Sequence, residues 1–168
     1  DLDMQLAAKL QGLLLTKDYP STDKIAFASH YTAARKIGGD LYDVFSLDED
    51  TIAFAIADVS GKGISASLVM AICQTHLRHF ATSQRTPAQV LREINAAMQS
   101  SMQRDMFITM IYAMLDTRTE ELTIARAGHE PAFFYDSHSD GTLDVDPIKS
   151  PGMAIGMVPP EVFDPVIE

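Results

Sequence analysis

Two segments with strand-like alternation, residues 41–46 and 51–57, flank the polar run Asp48-Glu49-Asp50, which predicts a β-hairpin with a short loop. The prediction carries a register. With Leu47 opposite Thr51, Asp40 falls directly across from Asp58 at the open end of the hairpin. Opposed residues of an antiparallel pair have Cβ atoms roughly 4.5–5.5 Å apart. Two carboxylates that close repel each other unless a cation or a proton lies between them. The spacing points to a divalent metal centre, with two solvated strand ends as the alternative. Gly38-Gly39 lets the backbone approach closely just before Asp40, and Gly61-Lys62-Gly63 opens a tight turn into a helix just after Asp58. In this register Tyr42, Val44, Ile52, Phe54 and Ile56 share a face with both acids. Asp43 projects to the other face, opposite Ala55, and is the weaker ligand candidate; a slip of one residue would exchange the faces.

The remaining elements follow from periodicity. Residues 2–15 place Leu2, Leu6, Leu10, Leu13 and Leu14 on one helical stripe, which the break at residues 19–23 ends. This helix is read either as a terminal helix docked on the domain or as a linker. Residues 25–32 alternate as a strand would, with His30 a surface residue of it. Residues 64–80 read as a helix buried along Ile64, Leu68, Ala71, Ile72 and Thr75, with His76 and His79 as its polar edge. Thr86-Pro87 marks the next helix start, and Val90, Leu91, Ile94, Ala97 and Met98 form its buried stripe. The short break between these helices suggests an antiparallel pair covering a sheet.

Residues 107–115 are apolar at nearly every position, so both faces of that strand are expected to be buried. Ala53, Ala55 and Ala57 alternate with Ile52, Phe54 and Ile56, letting a helix approach one face while the large residues fill the space between sheets. Residues 121–127, 131–135 and 141–146 continue the strand pattern. The predicted fold class is α+β: a four-layer α-β-β-α sandwich of two mainly antiparallel sheets flanked by helices.

Composition limits the functions available. The 168 residues are 46% hydrophobic and 21% charged, enough for one domain with a substantial core. Thirteen basic against 23 acidic residues give a formal charge of −10, which opposes nucleic acid and anionic lipid as partners. The single cysteine, Cys73, allows neither a disulfide framework nor a cysteine-type zinc site, and fits a reducing cytoplasm. No apolar run approaches the roughly 18 residues needed to span a bilayer. A phosphate-loop reading of Gly61-Lys62-Gly63 fails, because Ile56 stands where the leading Gly belongs and Gly63 where Ser or Thr is needed. Ser60 is not in a Gly-x-Ser-x-Gly elbow. The nine methionines read as core filler.

Five ordered motifs cover most of the chain: GGDLYDVF at 38–45, IADVSGKGISASLVM at 56–70, FITMIYAMLD at 107–116, ARAGHEPAFFY at 125–135 and PGMAIGM at 151–157. Together they resemble the bacterial sporulation stage II protein E-type phosphatases, which are similar to the metal-dependent type 2C protein serine/threonine phosphatases. The resemblance implies that Asp40 and Asp58 carry the catalytic metal centre, with the Val59 carbonyl as a further ligand, and that the complete domain holds two Mn²⁺ or Mg²⁺ ions. It also implies the same sandwich fold and a phosphorylated regulatory substrate of the STAS anti-sigma-antagonist class. An upstream sensor or receiver domain is expected, which makes residues 1–20 a linker helix and residues 21–168 the phosphatase domain; a homodimer is an allowed assembly. The family supplies further metal-binding aspartates in an Asp-Gly loop and a last strand, and neither occurs before Glu168, where Asp164 is followed by Pro165. The domain is therefore expected to be C-terminally incomplete. His129 is read as structural in its turn, with proton donation to a leaving serine oxygen as the alternative, and Glu130 stands where the family usually has Asn or Pro. The rival to an enzyme is a silent phosphatase-like module that binds a regulatory partner through the helix pair.

Overall fold

The computed structural model describes residues 2–32, 36–102, 105–149 and 152–167, so Pro151 of the fifth motif and Glu168 lie outside the described residues. The hairpin has the predicted register. β1 (Leu41–Ser46) pairs antiparallel with β2 (Thr51–Val59), Leu41 facing Ala57 and Asp43 facing Ala55. The Leu47 amide donates to the Thr51 carbonyl at 2.8 Å and closes the loop. β2 pairs with β3 (Ile108–Asp116), β3 with β4 (Glu121–Ala127), and β4 with the short β7 (Val166–Ile167), all antiparallel, to complete a five-stranded sheet. β5 (Ala132–Ser137) and β6 (Leu143–Ile148) form a separate two-stranded sheet.

The two faces of the large sheet differ in what covers them. On one face Leu41, Phe45, Ala53, Ala55 and Ala57 form the main core with helices α2 (Ile64–Phe80) and α3 (Pro87–Met98). The three alanines supply the close approach expected of them. α3 starts where predicted. The Thr86 hydroxyl accepts from the Gln89 amide at 3.3 Å and the Gln89 side chain accepts from the Thr86 amide at 2.8 Å, a reciprocal cap. Val90, Leu91, Ile94 and Met98 are buried, with Ala97 at the margin. On the opposite face a smaller cluster of Ile111, Ala113 and Ile124 meets Phe54, Leu122, Ala132 and Ile148. Ala132 and Ile148 face each other at the base of the β5–β6 hairpin, so the second sheet touches the first at its root. The described residues thus supply both sheets and a helical layer on one side.

Four expectations are corrected. Residues 25–32 form no strand; they run without a ladder partner, although Ile25, Phe27 and Tyr31 keep the inward alternation and Phe27 packs on Phe54 with ring centroids 5.6 Å apart. Alternation reports which side chains lean on a surface, whereas a strand also needs a neighbour to bond. α2 buries Ala66, Val69, Met70, Cys73, Gln74 and Leu77, while the expected stripe of Ile64, Leu68 and Ile72 faces solvent. In α1 (Leu2–Leu14) the leucine stripe is likewise exposed, and the helix docks through Gln11 and the following Leu15. Ile56, expected between the sheets, is also exposed.

Candidate active site

Asp40 and Asp58 meet at the open end of the β1–β2 hairpin. Continuing the ladder one step beyond the Leu41–Ala57 pair sets Asp40 beside Asp58, and both side chains are solvent-accessible. Partial burial first, and the adjoining Asp40 carboxylate second, raise the pKa of Asp58 above the usual carboxylate range. The backbone is fitted to hold this pair. The Val59 amide donates to the Gly39 carbonyl at 3.3 Å, and a Cβ on Gly39 would come 2.8 Å from the Val59 carbonyl oxygen and 3.2 Å from the Ala66 side chain. A side chain at position 39 would push Asp40 away from β2.

Downstream, the Ser60 hydroxyl accepts from the Phe107 amide at 2.8 Å, while the Ser60 amide donates to the Phe107 carbonyl. Ser60 thereby ties the turn after Asp58 to the start of β3. Gly61 and Gly63 take φ of 97° and 80°, the left-handed region that the turn into α2 requires.

The pair opens into a cleft of about 870 Å³ whose walls include Tyr31, Tyr42, Phe54, Ile56, His129 and Glu130. Tyr31 packs on Tyr42 with centroids 6.3 Å apart, and among the described residues its buried hydroxyl has no partner. Burial, and then the Asp40 charge, raise the pKa of that phenol. His129 reaches the cleft from the turn after β4. Its Nδ1 lies 2.8 Å from the hydroxyl of Thr109, the residue opposite Asp58 in β3. Burial lowers the imidazole pKa, and Arg126 acts in the same direction against the carboxylates of Glu130 and Asp40. Nothing in the sequence singled out Tyr31 or Thr109; the β2–β3 register would have placed Thr109 beside Asp58.

Asp43 lies on the opposite face, as the register required, and is fully buried. Arg78 Nε and an Nη donate to its two oxygens at 2.7 and 2.6 Å, and Thr16 and Gln74 donate as well. All of its charge is used inside the fold, which removes it from the ligand candidates. Cys73 is buried with its thiol pKa pushed up to about 12, so it is inert. His76 and His79 pack their rings against Phe80 as a helix edge.

Two carboxylates and a neighbouring carbonyl are hard oxygen donors of the kind that bind Mg²⁺ or Mn²⁺. The like-charged pair, with Asp58 already pushed toward its protonated form, fits a cation between the acids. Among the described residues no group of three or more His, Cys, Asp or Glu side chains is placed to hold a metal ion.

The antiparallel sheet backed by a helix pair is a fold shared with solved PP2C domains. The SiaA PP2C domain of Pseudomonas aeruginosa superposes with a TM-score of 0.74 at 22% identity, over 99% of this chain and 65% of that one. Residues 48–167 match the stage II sporulation protein E (SpoIIE) family, and the chain belongs to it. The phosphoserine phosphatase RsbU of Bacillus subtilis is 32% identical over 155 residues, 92% of this chain and 45% of RsbU. RsbP of the same organism is also described as a phosphoserine phosphatase and is 30% identical over 138 residues, 80% of this chain and 34% of RsbP. The chain thus spans less than half the length of these relatives.

Proposed function

We propose that the chain is the core of a metal-dependent protein serine/threonine phosphatase that hydrolyses phosphoserine or phosphothreonine on a regulatory protein of the STAS anti-sigma-antagonist class. The observation that carries this reading is the juxtaposed Asp40–Asp58 pair, with the raised Asp58 pKa, in a chain similar to two phosphoserine phosphatases. Asp40, Asp58 and the Val59 carbonyl would hold Mn²⁺ or Mg²⁺, two ions once further ligands complete the site, and the chemistry supplied there would be an acidified water able to attack phosphorus in line.

The chain's own residues set the stage for that step. Gly39 and Val59 fix the approach of the two acids, and Ser60 anchors the turn behind Asp58. The formal charge of −10 would repel a phosphoprotein, so a cation at the acid pair also serves to attract the substrate. We read α1 as a linker from an upstream sensor or receiver domain, supported by leucines that point away from the domain, with a homodimer as an allowed assembly. Cytoplasmic location is part of the same proposal; no described helix is long and apolar enough to cross a membrane.

The two-acid site also favours a second reading, a catalytically silent module that binds a regulatory partner. Phosphopeptide turnover in Mn²⁺ separates the two. The enzyme reading expects metal-dependent turnover by the full-length protein that Asp58→Asn abolishes while circular dichroism is unchanged, whereas residues 1–168 alone, short of ligands, are expected to turn over negligibly. Equal turnover by Asp58→Asn would remove Asp58 from the metal centre, and a full-length protein silent with every divalent metal would favour the binding module.

A further inference from the structure

We infer that Gln11 of α1 is a positioning residue for the acid pair: its side-chain amide fixes the backbone from which Asp40 meets Asp58. The inference deepens the phosphatase reading and rests on it for the metal, while the restraint on the backbone is read from hydrogen bonds.

Gln11 is only 8% exposed, in a helix whose leucines face solvent. Its Nε2 donates to the Gly38 carbonyl at 2.5 Å, and its Oε1 accepts from the Gly38 amide at 3.1 Å. One planar side-chain amide thus holds the peptide groups on both sides of Gly38, as a paired residue of a neighbouring strand would. A buried amide is costly unless it is bonded, and this one is bonded through both its donor and its acceptor. The helix is itself held at this point. The Leu14 carbonyl accepts from Gln74 Nε2 at 2.5 Å, and the following Leu15 is buried in the main core.

The sequence next to Asp40 explains why such a restraint matters. Gly38 and Gly39 are consecutive glycines, which have the widest choice of backbone conformation. A side chain at position 39 is excluded, since its Cβ would come 2.8 Å from the Val59 carbonyl oxygen. The close approach that brings Asp40 beside Asp58 therefore requires backbone that does not hold its own shape. Two sets of bonds supply the missing stiffness. Gln11 fixes the peptides around Gly38, and the Val59 amide donates to the Gly39 carbonyl at 3.3 Å. The second bond is long, and it forms because the first presents Gly39 to β2. With both in place the peptide plane before Asp40 is set, and with it the direction in which that side chain leaves the backbone. Gln11 acts on the geometry of a ligand and leaves the number of ligands unchanged.

Gln11→Met keeps the side-chain length and a similar helix propensity but removes both bonds to Gly38. Two measurements on the full-length protein test the role. In the metal-free state, amide hydrogen exchange at Val59 should quicken by about tenfold in Gln11→Met, the scale of one hydrogen bond, while the Leu47 amide at the far end of the hairpin exchanges as in wild type. In Mn²⁺ titrations followed by electron paramagnetic resonance of the free ion, Gln11→Met should bind about tenfold more weakly, the lower end for losing an outer support of a metal ligand. Leu15→Ala controls for the docking of α1. It should lower the melting temperature at least as far as Gln11→Met does, yet leave Mn²⁺ affinity at the wild-type value. Wild-type Mn²⁺ affinity in Gln11→Met, or an unchanged Val59 exchange rate, overturns the proposal. An equal loss of affinity in Leu15→Ala also overturns it, because the effect would then belong to helix docking as a whole. A wild-type protein that binds no Mn²⁺ counts against the phosphatase reading alone, since Val59 exchange still decides whether Gln11 holds the Asp40 backbone.

Discussion

Asp43 and Asp58 stand on the same hairpin, on opposite faces, and the fold treats them in opposite ways. Asp43 is fully buried, yet each oxygen is hydrogen-bonded and Arg78 neutralises its charge, with the Arg78 guanidinium lying 3.9 Å from the Phe45 ring centroid. Asp58 is exposed, and what it meets is a second carboxylate. The difference teaches that depth does not mark an unsatisfied acid. The buried acid is satisfied and structural, whereas the accessible one carries an unmet electrostatic demand that a cation would relieve.

The satisfied acid also joins distant parts of the chain. Thr16 donates to Asp43, Gln74 donates to both Asp43 and the Leu14 carbonyl, and the Gln11 side chain donates its Nε2 to the Gly38 carbonyl at 2.5 Å and accepts from the Gly38 amide through Oε1 at 3.1 Å. These bonds fasten the end of α1 to α2, to β1 and to the loop that carries Asp40. Gln11 is buried in an otherwise exposed helix for this reason.

The contrast can be broken most decisively at Arg78. Arg78→Ala leaves the Asp43 carboxylate buried without its ion partner and should cost about 3–5 kcal/mol, read as a fall in the denaturant midpoint. Asp58→Asn in metal-free protein should show no such loss, because it removes repulsion. Equal midpoints for the two variants would erase the distinction between the acids.

A smaller effect is expected from the packing that keeps the faces apart. Ala55→Phe puts a ring between β2 and the helices and should destabilise by about 1–3 kcal/mol without touching the acid pair. An unchanged melt would mean that the alanine face can yield.

The finest test uses pH in the absence of metal. Asp58 has a folded pKa above its unfolded value, so the folded chain binds the proton more tightly. Its contribution to stability is fully present below the unfolded carboxylate pKa and is lost as pH rises through the raised folded value. Wild type should therefore lose stability relative to Asp58→Asn across that acid window, and parallel curves would show that the pair does not repel.

Much of this was legible in the residues. The short loop and the alternation on either side of it fixed the β1–β2 register, because slipping one residue would turn every buried side chain outward. The reciprocal Thr86–Gln89 cap placed α3, since its partners are three residues apart in sequence. The acid pair followed from the same register. What the sequence left open was the choice among equivalent surfaces. α2 carries apolar residues nearly all round, so Ile64, Leu68 and Ile72 matched helical spacing as well as Ala66, Val69, Cys73 and Leu77, and only the alanine strip of β2 selected the second set. Residues 25–32 alternate like a strand but find no ladder partner, and the leucines of α1 remain exposed while Gln11 is buried. The Thr109–His129 contact joins residues 20 apart in the chain. Local pattern determines where strands and helices lie and which side chains oppose across one turn; which face is covered, and which polar groups meet, depends on partners brought together only by the folded chain.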